Sequence, residues 1–415
     1  MFYEKTVLDS GVTVITETMD NVRSVAIGIW FSVGSRDEHA GEAGMSHFME
    51  HMMFKGTPTR SAQDISEHFD RLGAELNAFT SKEYTCYYAR VLDEHVGDAV
   101  EVLSDMVCNA LLADDAIVSE REVVLEEIAR HEDTPDDMVH ELFAQTLLPD
   151  HPLGLPVLGK REMVGAFDHE ASADFKRRHY RTGNVVVAAA GHISHAALVQ
   201  LVERTLLLSE GPRSVRIETT PVVEPRVQVL RKDTEQAHIC WGVVSLKAHD
   251  EERFALSILD SILGGGMASR MFVEIREKKG LAYAVYSYHT LCQDTGQFVV
   301  YAGTRPSNAE QVIGLIKNEI AKIVESDVTP NELHRAKESL KGSLVLSLES
   351  TRARMTRLGK NEITQGDCLS VDELIERVDA VTAQDVSSLA GRLFGAGHVL
   401  AMVAPFDVED VAHLL

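Results

Sequence analysis

The sequence predicts an α+β protein of two similar halves, each a mostly antiparallel mixed sheet with helices packed on it like one side of a sandwich. The 415 residues are too many for one ordinary domain and suit two. Strand-like and helix-like patterns follow one another in the same order in both halves, offset by about 213 residues, which indicates an ancient duplication. A stretch rich in proline and glycine lies at the midpoint. The predicted organisation is therefore a first half at 1–210, a linker at 211–226 and a second half at 227–415.

Each element is assigned from the spacing of its apolar residues. The opening strand is typical, because Val25, Ile27, Ile29, Phe31 and Val33 alternate along it. The predicted strands are 25–33, 75–80, 84–91 and 184–191 in the first half, and 238–244, 283–289, 297–303 and 398–403 in the second. The predicted helices that follow each opening strand are 44–54 and 61–73, and then 252–263 and 268–279.

Composition excludes several classes of protein. The formal net charge is −24, which disfavours nucleic-acid binding because phosphates are repelled. Residues 1–210 carry 36 acidic and 17 basic side chains, and residues 211–415 carry 28 and 23. This asymmetry indicates either simple solubility or a surface that favours basic partners. No apolar run is long enough for a membrane span, no signal peptide is visible, and the five scattered cysteines predict reduced thiols in a cytoplasmic protein.

The strongest chemical signal is His-x-x-Glu-His, formed by His47, Glu50 and His51. At helical spacing these three residues share one face, with the two histidines one turn apart. Buried imidazoles and carboxylates need partners, and one metal ion would satisfy both histidines. The alternative is a pair of core histidines bonded to backbone carbonyls. The opposite face of the same helix carries an apolar stripe of Met45, Phe48, Met49, Met52 and Met53.

A third ligand is expected, since catalytic zinc commonly takes three protein ligands and leaves one position open. The segment around residues 119–128 is a candidate. On a helix Glu120, Val123, Val124 and Glu127 form one stripe, whereas Glu126 points about 100° away. Glu127 is therefore the predicted inward carboxylate. The alternative for this segment is a solvated acidic helix face.

These motifs resemble the pitrilysin or insulinase-type zinc metallopeptidases, which use the inverted His-x-x-Glu-His motif. The resemblance is closest to the shorter members, which include mitochondrial processing peptidase, in particular its beta subunit, and bacterial processing-protease homologues. Further similar segments are 73–80, 83–85, 151–154 with Gly159, and 264–285. They cover nearly the whole chain in the family's order.

The resemblance implies a zinc-dependent endopeptidase or oligopeptidase with one Zn²⁺ per chain, held by His47, His51 and Glu127. Glu50 would act as general base and Glu120 as an auxiliary acidic residue that orients a ligand. Arg276 and Tyr283 would contact the substrate. The segment that would pair with an extended peptide comprises Ala74, Glu75, Leu76, Asn77, Ala78, Phe79 and Thr80.

The second half contains no His-x-x-Glu-His, so one metal site per chain is expected. The resemblance implies that two chains enclose a chamber for peptides, either as a homodimer or as a heterodimer with a related chain. Basic peptides are possible substrates. Neither nucleic acid nor membrane is an expected partner. Two other interpretations stay open: a non-catalytic scaffold subunit of a heterodimeric processing peptidase, and a metallohydrolase acting on a small molecule. Taken singly, Arg276 is more typical of a surface helix and Tyr283 of an ordinary strand, whereas as a pair in the matched segment they favour the substrate-contact role.

Overall fold

The computed structural model describes residues 2–219, 221, 223–325, 328–366 and 368–415. They divide into two compact units. The first unit comprises Met1–Ala129, Leu155–Ile217 and Ser347–Ser370, and the second comprises Arg130–Gly154, Glu218–Leu346 and Val371–Leu415. The chain passes from one unit to the other after Ile217, inside the predicted linker, of which residues 220 and 222 lie outside the described residues.

The first unit contains a sheet of six strands among the described residues, in the order β1-β2-β6-β3-β5-β4. Only β2 and β6 pair in parallel, and the other neighbours are antiparallel. The strands are β1 Glu4–Val7, β2 Thr13–Thr18, β3 Ser24–Phe31, β4 Glu75–Thr80, β5 Thr85–Leu92 and β6 Val185–Gly191. The helices of this unit are α1 Met45–Met52, α2 Ala62–Arg71, α3 Val96–Asn109, α4 Asp114–Glu132, α6 Arg161–Val164, α7 His169–His179, α8 His195–Thr205 and α12 Thr351–Thr364, of which α4 runs three residues into the second unit.

Among the residues that the structure describes, the second unit repeats this arrangement without a counterpart of β1. The order among its described strands is β7-β11-β8-β10-β9, with β7 and β11 parallel and the remaining pairs antiparallel. The strands are β7 Arg226–Arg231, β8 Ala237–Ser245, β9 Ala282–Leu291, β10 Gly296–Thr304 and β11 His398–Ala404. The helices are α5 Pro135–Leu147, α9 Arg253–Leu263, α10 Ala309–Glu325, α11 Pro330–Ser347, α13 Val371–Ala380, α14 Ala383–Phe394 and α15 Val408–Val411, with a π-helical segment at Phe272–Lys278.

The predicted fold class is confirmed by these two mixed, mostly antiparallel sheets. β3 shows why the strand pattern was informative. Its residues Val25, Ile27, Ile29 and Phe31 lie in the large core that the sheet shares with the helices of one face. The residues between them include Trp30, which faces the other side of the same sheet. Both faces are buried, as expected for a sheet covered by helices on two sides.

One helix in each unit comes from the other half of the sequence. α12, from the second half, covers the Trp30 face of the first sheet through Met355 and Leu358. α5, from the first half, covers one face of the second sheet through Val139 and Phe143. The two compact units therefore do not coincide with the segments 1–210 and 227–415, because each sheet recruits a helix that is distant in sequence.

In the described part of the chain, no helix combines the length and the apolar character needed to cross a bilayer.

Candidate active site

Helix α1 presents two chemically different faces. Met45, Phe48, Met49 and Met52 are at most 1% exposed and belong to the main core of the first unit. The opposite face carries His47 and His51, whose side chains are 13% and 18% exposed. The predicted stripe of histidines is thus real, but it is partly open to solvent rather than fully buried.

Helix α4 brings a second set of side chains to this face. Glu120 and Val124 are buried, and Glu127 is partly exposed on the same side of the helix. Glu126 is exposed, as the helical spacing predicts. Val123, which was assigned to the inward stripe, is 43% exposed. A step of four residues stays closer to one helix face than a step of three, so Val124 takes the inward position.

His47, His51 and Glu127 converge. Their ligand atoms all lie within 4.8 Å of one another. The two histidine Nε2 atoms are 3.2 Å apart, and Glu127 Oε2 lies 3.6 Å from His47 Nε2 and 3.7 Å from His51 Nε2. Three donors at these separations are a geometry that a single divalent ion can bridge.

A carboxylate and an ammonium group orient His51. Its Nδ1 lies 2.8 Å from Glu120 Oε1, and Lys55 Nζ forms an ion pair with the other carboxylate oxygen. Burial would raise the pKa of Glu120, but the hydrogen bonds from His51 and Lys55 lower it, so the side chain is an anion that accepts a hydrogen bond from Nδ1–H. The hydrogen bond places one proton on Nδ1. Burial disfavours a second proton on His51, but the carboxylates of Glu120, Glu127 and Glu50 together raise its pKa, so Nε2 must lose a proton before it can bind a metal ion.

His47 is also suited to donate a lone pair. Burial, together with the charge of His51, lowers its pKa to about 4, so the imidazole is neutral at pH 7. Neutral imidazole is the form that binds metals. With two imidazole nitrogens and one carboxylate oxygen converging, the residues present fit a divalent metal ion.

Glu50 lies beside this cluster and is held by a strand. Its Oε2 accepts a hydrogen bond of 2.6 Å from the hydroxyl of Thr80, the last residue of β4. Burial raises the pKa of Glu50, while the hydroxyl of Thr80 and the charge of His51 oppose this change and Glu127 adds to it. A carboxylate with a raised pKa close to the donors can exchange protons with a reacting group.

The predicted peptide-pairing segment forms the edge of the first sheet. β4 covers Glu75–Thr80, and among the described strands it pairs with β5 alone. Ala74 immediately precedes the strand. An edge strand has unpaired backbone donors and acceptors that an extended peptide can use.

Arg276 and Tyr283 belong to the second unit and lie close together. The guanidinium carbon of Arg276 is 5.2 Å from the centre of the Tyr283 ring and 4.8 Å from that of Phe272. Tyr283 is 79% exposed. Arg276 lies on the π-helical segment, where an ordinary α-helix was predicted. The structure thus pairs these two residues with each other.

Three contributions were not foreseen from the sequence. Lys55 pairs with Glu120, Thr80 bonds to Glu50, and Glu38 accepts two hydrogen bonds from the start of α1. Lys55 lies three residues beyond the end of α1, so helical spacing did not mark it. For Thr80 and Glu38 the contact depends on tertiary structure, so the sequence offers little signal.

Sequence comparison decides the family. A sequence model described as Insulinase (Peptidase family M16) matches residues 13–161, and one described as Peptidase M16 inactive domain matches residues 166–340. The chain belongs to the insulinase, or M16, peptidase family. The predicted resemblance is confirmed. All three candidate ligands lie in the segment matched by the first of these models, which agrees with a single metal site in the first half.

Bacterial proteins that are similar to this M16 family member align with nearly its whole length. One described as an uncharacterized zinc protease from Streptomyces coelicolor is 43% identical over 420 residues, covering 99% of this chain and 91% of the relative. The uncharacterized zinc protease YmxG of Bacillus subtilis is 42% identical over 396 residues, with 95% and 97% covered. Both relatives are named as zinc proteases, which supports a peptidase function for these members of the family.

Solved structures share the fold at low sequence identity. A crystal structure of a peptidase M16 inactive domain from Pseudomonas fluorescens superposes with a TM-score of 0.92 at 20% identity, covering 98% of both chains. A protease from Helicobacter pylori gives a TM-score of 0.91 at 22% identity, covering 97% of this chain and 99% of the other. They support the fold assignment only.

Proposed function

We propose that this M16 family member is a zinc-dependent endopeptidase or oligopeptidase that cleaves extended peptides and unfolded segments. The observation that carries the proposal is the convergence of His47, His51 and Glu127 beside Glu50. Two imidazoles and a carboxylate are typical ligands of catalytic zinc. The names of the bacterial relatives, which are zinc proteases, support the same metal. When bound, zinc supplies Lewis acidity for the attacking water and the scissile carbonyl.

In this proposal Glu50 moves the proton. It accepts a proton from the attacking water and returns it to the leaving amine, which requires a carboxylate whose pKa is nearer to neutrality than that of an exposed glutamate. Burial supplies that condition, and the hydroxyl of Thr80 at 2.6 Å fixes one carboxylate oxygen. Glu120 keeps His51 in one tautomer, and Lys55 keeps Glu120 ionised.

The peptide substrate would add a strand to β4. Main-chain hydrogen bonds to Glu75–Thr80 would give affinity with limited dependence on side chains. Thr80 ends this strand and bonds to Glu50, so a peptide paired along β4 would run towards the proton-transfer group. We propose that Arg276 and Tyr283, which are stacked in the second unit, add hydrogen bonds to the substrate or to its developing oxyanion.

Further parts of the proposal concern assembly and selectivity. A dimer enclosing a chamber, of identical or related chains, would exclude folded proteins, and the strong acidity of residues 1–210 would favour basic peptides. Cytoplasmic placement stays a prediction. Equal cleavage of acidic and basic peptides of matched length would dispose of the charge preference, and a monomer that remains fully active at all concentrations would dispose of the chamber.

The first experiment measures metal content and cleavage together. The purified full chain should hold about one zinc per chain by mass spectrometry and cleave an internally quenched peptide until a chelator is added. Glu127→Gln should weaken zinc binding by at least tenfold, because a neutral amide replaces an anionic ligand. Glu126→Gln is the matched control, since this exposed neighbour on the same helix should change nothing. Full zinc affinity in Glu127→Gln would refute the ligand set. Zinc binding without cleavage of any peptide would favour the scaffold interpretation.

A further inference from the structure

The two histidines of α1 are oriented in different ways. His51 Nδ1 has a carboxylate partner at 2.8 Å in Glu120. His47 Nδ1 is buried and has no hydrogen-bond partner among the described residues. Metal-binding histidines usually donate their second nitrogen to such a partner, which fixes the ring. Because His47 lacks one here, the position of its Nε2 depends on how firmly the backbone of α1 is held.

The beginning of α1 cannot be capped by its own side chain. Gly44 precedes the helix with φ +100°, a conformation that favours glycine. A Cβ atom at this position would lie 2.8 Å from the carbonyl oxygen of Leu158 and 2.9 Å from Cα of Gly159. The usual capping residues serine, threonine, aspartate and asparagine are therefore excluded. The free N–H groups of the first turn need an acceptor from elsewhere in the chain.

Glu38 provides that acceptor. Its Oε2 accepts a hydrogen bond from the Gly44 N–H and its Oε1 accepts one from the Ser46 N–H, both of 2.8 Å. Glu38 is 8% exposed. Both oxygens are thus bonded to the start of α1. Burial raises the pKa of Glu38 to about 8, although the backbone hydrogen bonds from Ser46 and Gly44 oppose this change. Ser46 is the residue immediately before His47.

We infer that Glu38 is a positioning residue for the metal site, acting on His47 through the first turn of α1. The inference rests on the proposed zinc site. By holding the N–H groups on both sides of Met45, Glu38 fixes the rotation and height of α1 at its start. It thereby places His47 Nε2 at the observed 3.6 Å from Oε2 of Glu127, which belongs to α4. This backbone contact does for His47 what Glu120 does for His51 through the ring.

The test measures the zinc affinity of the full chain. The zinc-loaded protein is titrated with a chromophoric chelator that competes for the metal. Glu38→Ala removes both acceptors and should weaken zinc binding by about tenfold to a hundredfold, the range seen when partners of metal ligands are removed. Glu38→Gln keeps one acceptor and should lose less. Hydrogen exchange of the peptide spanning 39–48 should accelerate in both variants. Excess zinc should restore kcat, with KM for the peptide unchanged.

A matched control separates positioning from general stability. Asp385 caps α14 in the second unit through Thr382, with hydrogen bonds of 2.8 and 2.7 Å. Asp385→Ala should lower the unfolding midpoint but leave zinc affinity unaltered. Should Glu38→Ala fail to fold, Glu38→Gln carries the test alone. Wild-type zinc affinity in the folded Glu38 variants would overturn the inference while the proposed function stands. A wild-type chain that binds no zinc would overturn both.

Discussion

Glu50→Gln is the substitution that most directly probes the proposed chemistry. Glutamine has nearly the same shape and keeps a carbonyl oxygen, so it can still accept the 2.6 Å hydrogen bond from Thr80. It cannot take a proton from water. General acid–base catalysis contributes about 10²–10⁴-fold, so kcat should fall by that factor, equivalent to roughly 2.7–5.5 kcal/mol of transition-state stabilisation. Zinc content should remain at the wild-type value, because Glu50 is not one of the three converging donors.

The assay compares kcat, KM, zinc content and unfolding midpoint for the variant and for wild type. Lower kcat with unchanged zinc and KM is expected. Thr80→Val gives an internal check, since it leaves Glu50 in place but removes the hydroxyl that fixes it, and a smaller loss of kcat should follow. If Glu50→Gln retains kcat within about threefold of wild type at full zinc content, Glu50 is not the proton-transfer group, since that change corresponds to only about 0.7 kcal/mol.

Two further predictions concern stability. Gly359→Ala should destabilise the chain by about 1–3 kcal/mol in urea unfolding, because the added Cβ would lie within 2.3–2.7 Å of the Trp30 indole. The control is Gly391→Ala, whose Cβ would meet nothing within 4 Å and which should be neutral or stabilising. Equal effects of the two substitutions would contradict the packing argument. The Arg270 guanidinium holds the pKa of Glu332 at about 2. This pair should therefore stabilise the fold above about pH 4.5 and lose its contribution as the pH falls towards 2. The contribution is roughly 1–2 kcal/mol after allowance for solvent screening. Glu332→Gln should flatten this part of the stability–pH curve, and an unchanged acid slope would refute the assignment.

Local pattern was sufficient for eight of the eleven described strands and for the helix that carries the histidines, whereas β1, β2 and β7 were not predicted. Alternation places Val25 and Ile27 on one face of β3, and the structure agrees. β3 is buried on both faces, so a slip of one residue in its register would exchange the two faces. The helical period likewise separates Glu126, which is exposed, from Glu127, which lies beside the two histidines. These features depend on neighbours within a few residues, which is the range over which a sequence pattern carries information.

The exchanged helices could not be predicted in this way. The apolar face of α5, with Val139 and Phe143, shows that the helix packs on something, but the pattern is the same whichever sheet it covers. α12 meets the first sheet through Met355 and Leu358, although about 160 residues separate this helix from β6, the last strand of that sheet in the sequence. Partner choice at that separation is set by tertiary complementarity, such as the close fit of Gly359 against Trp30, and leaves no periodic trace.

The glutamates around α1 show how far residue type alone can lead. Glu38, Glu50, Glu120 and Glu127 have the same side chain, and spacing could only rank them. Their contacts divide them: two backbone N–H groups for Glu38, a hydroxyl for Glu50, an imidazole and an ammonium for Glu120, and two imidazole Nε2 atoms for Glu127.

Exposure follows the same division. The side chain of Glu120 is 4% exposed and that of Glu127 is 41% exposed. A carboxylate that only orients a histidine functions best when it is shielded, because a low dielectric strengthens its hydrogen bond. A ligand at a site that must admit a peptide has to border solvent. Glu127 therefore marks the open side of the three donors, and this is the side from which we expect a substrate strand on β4 to approach.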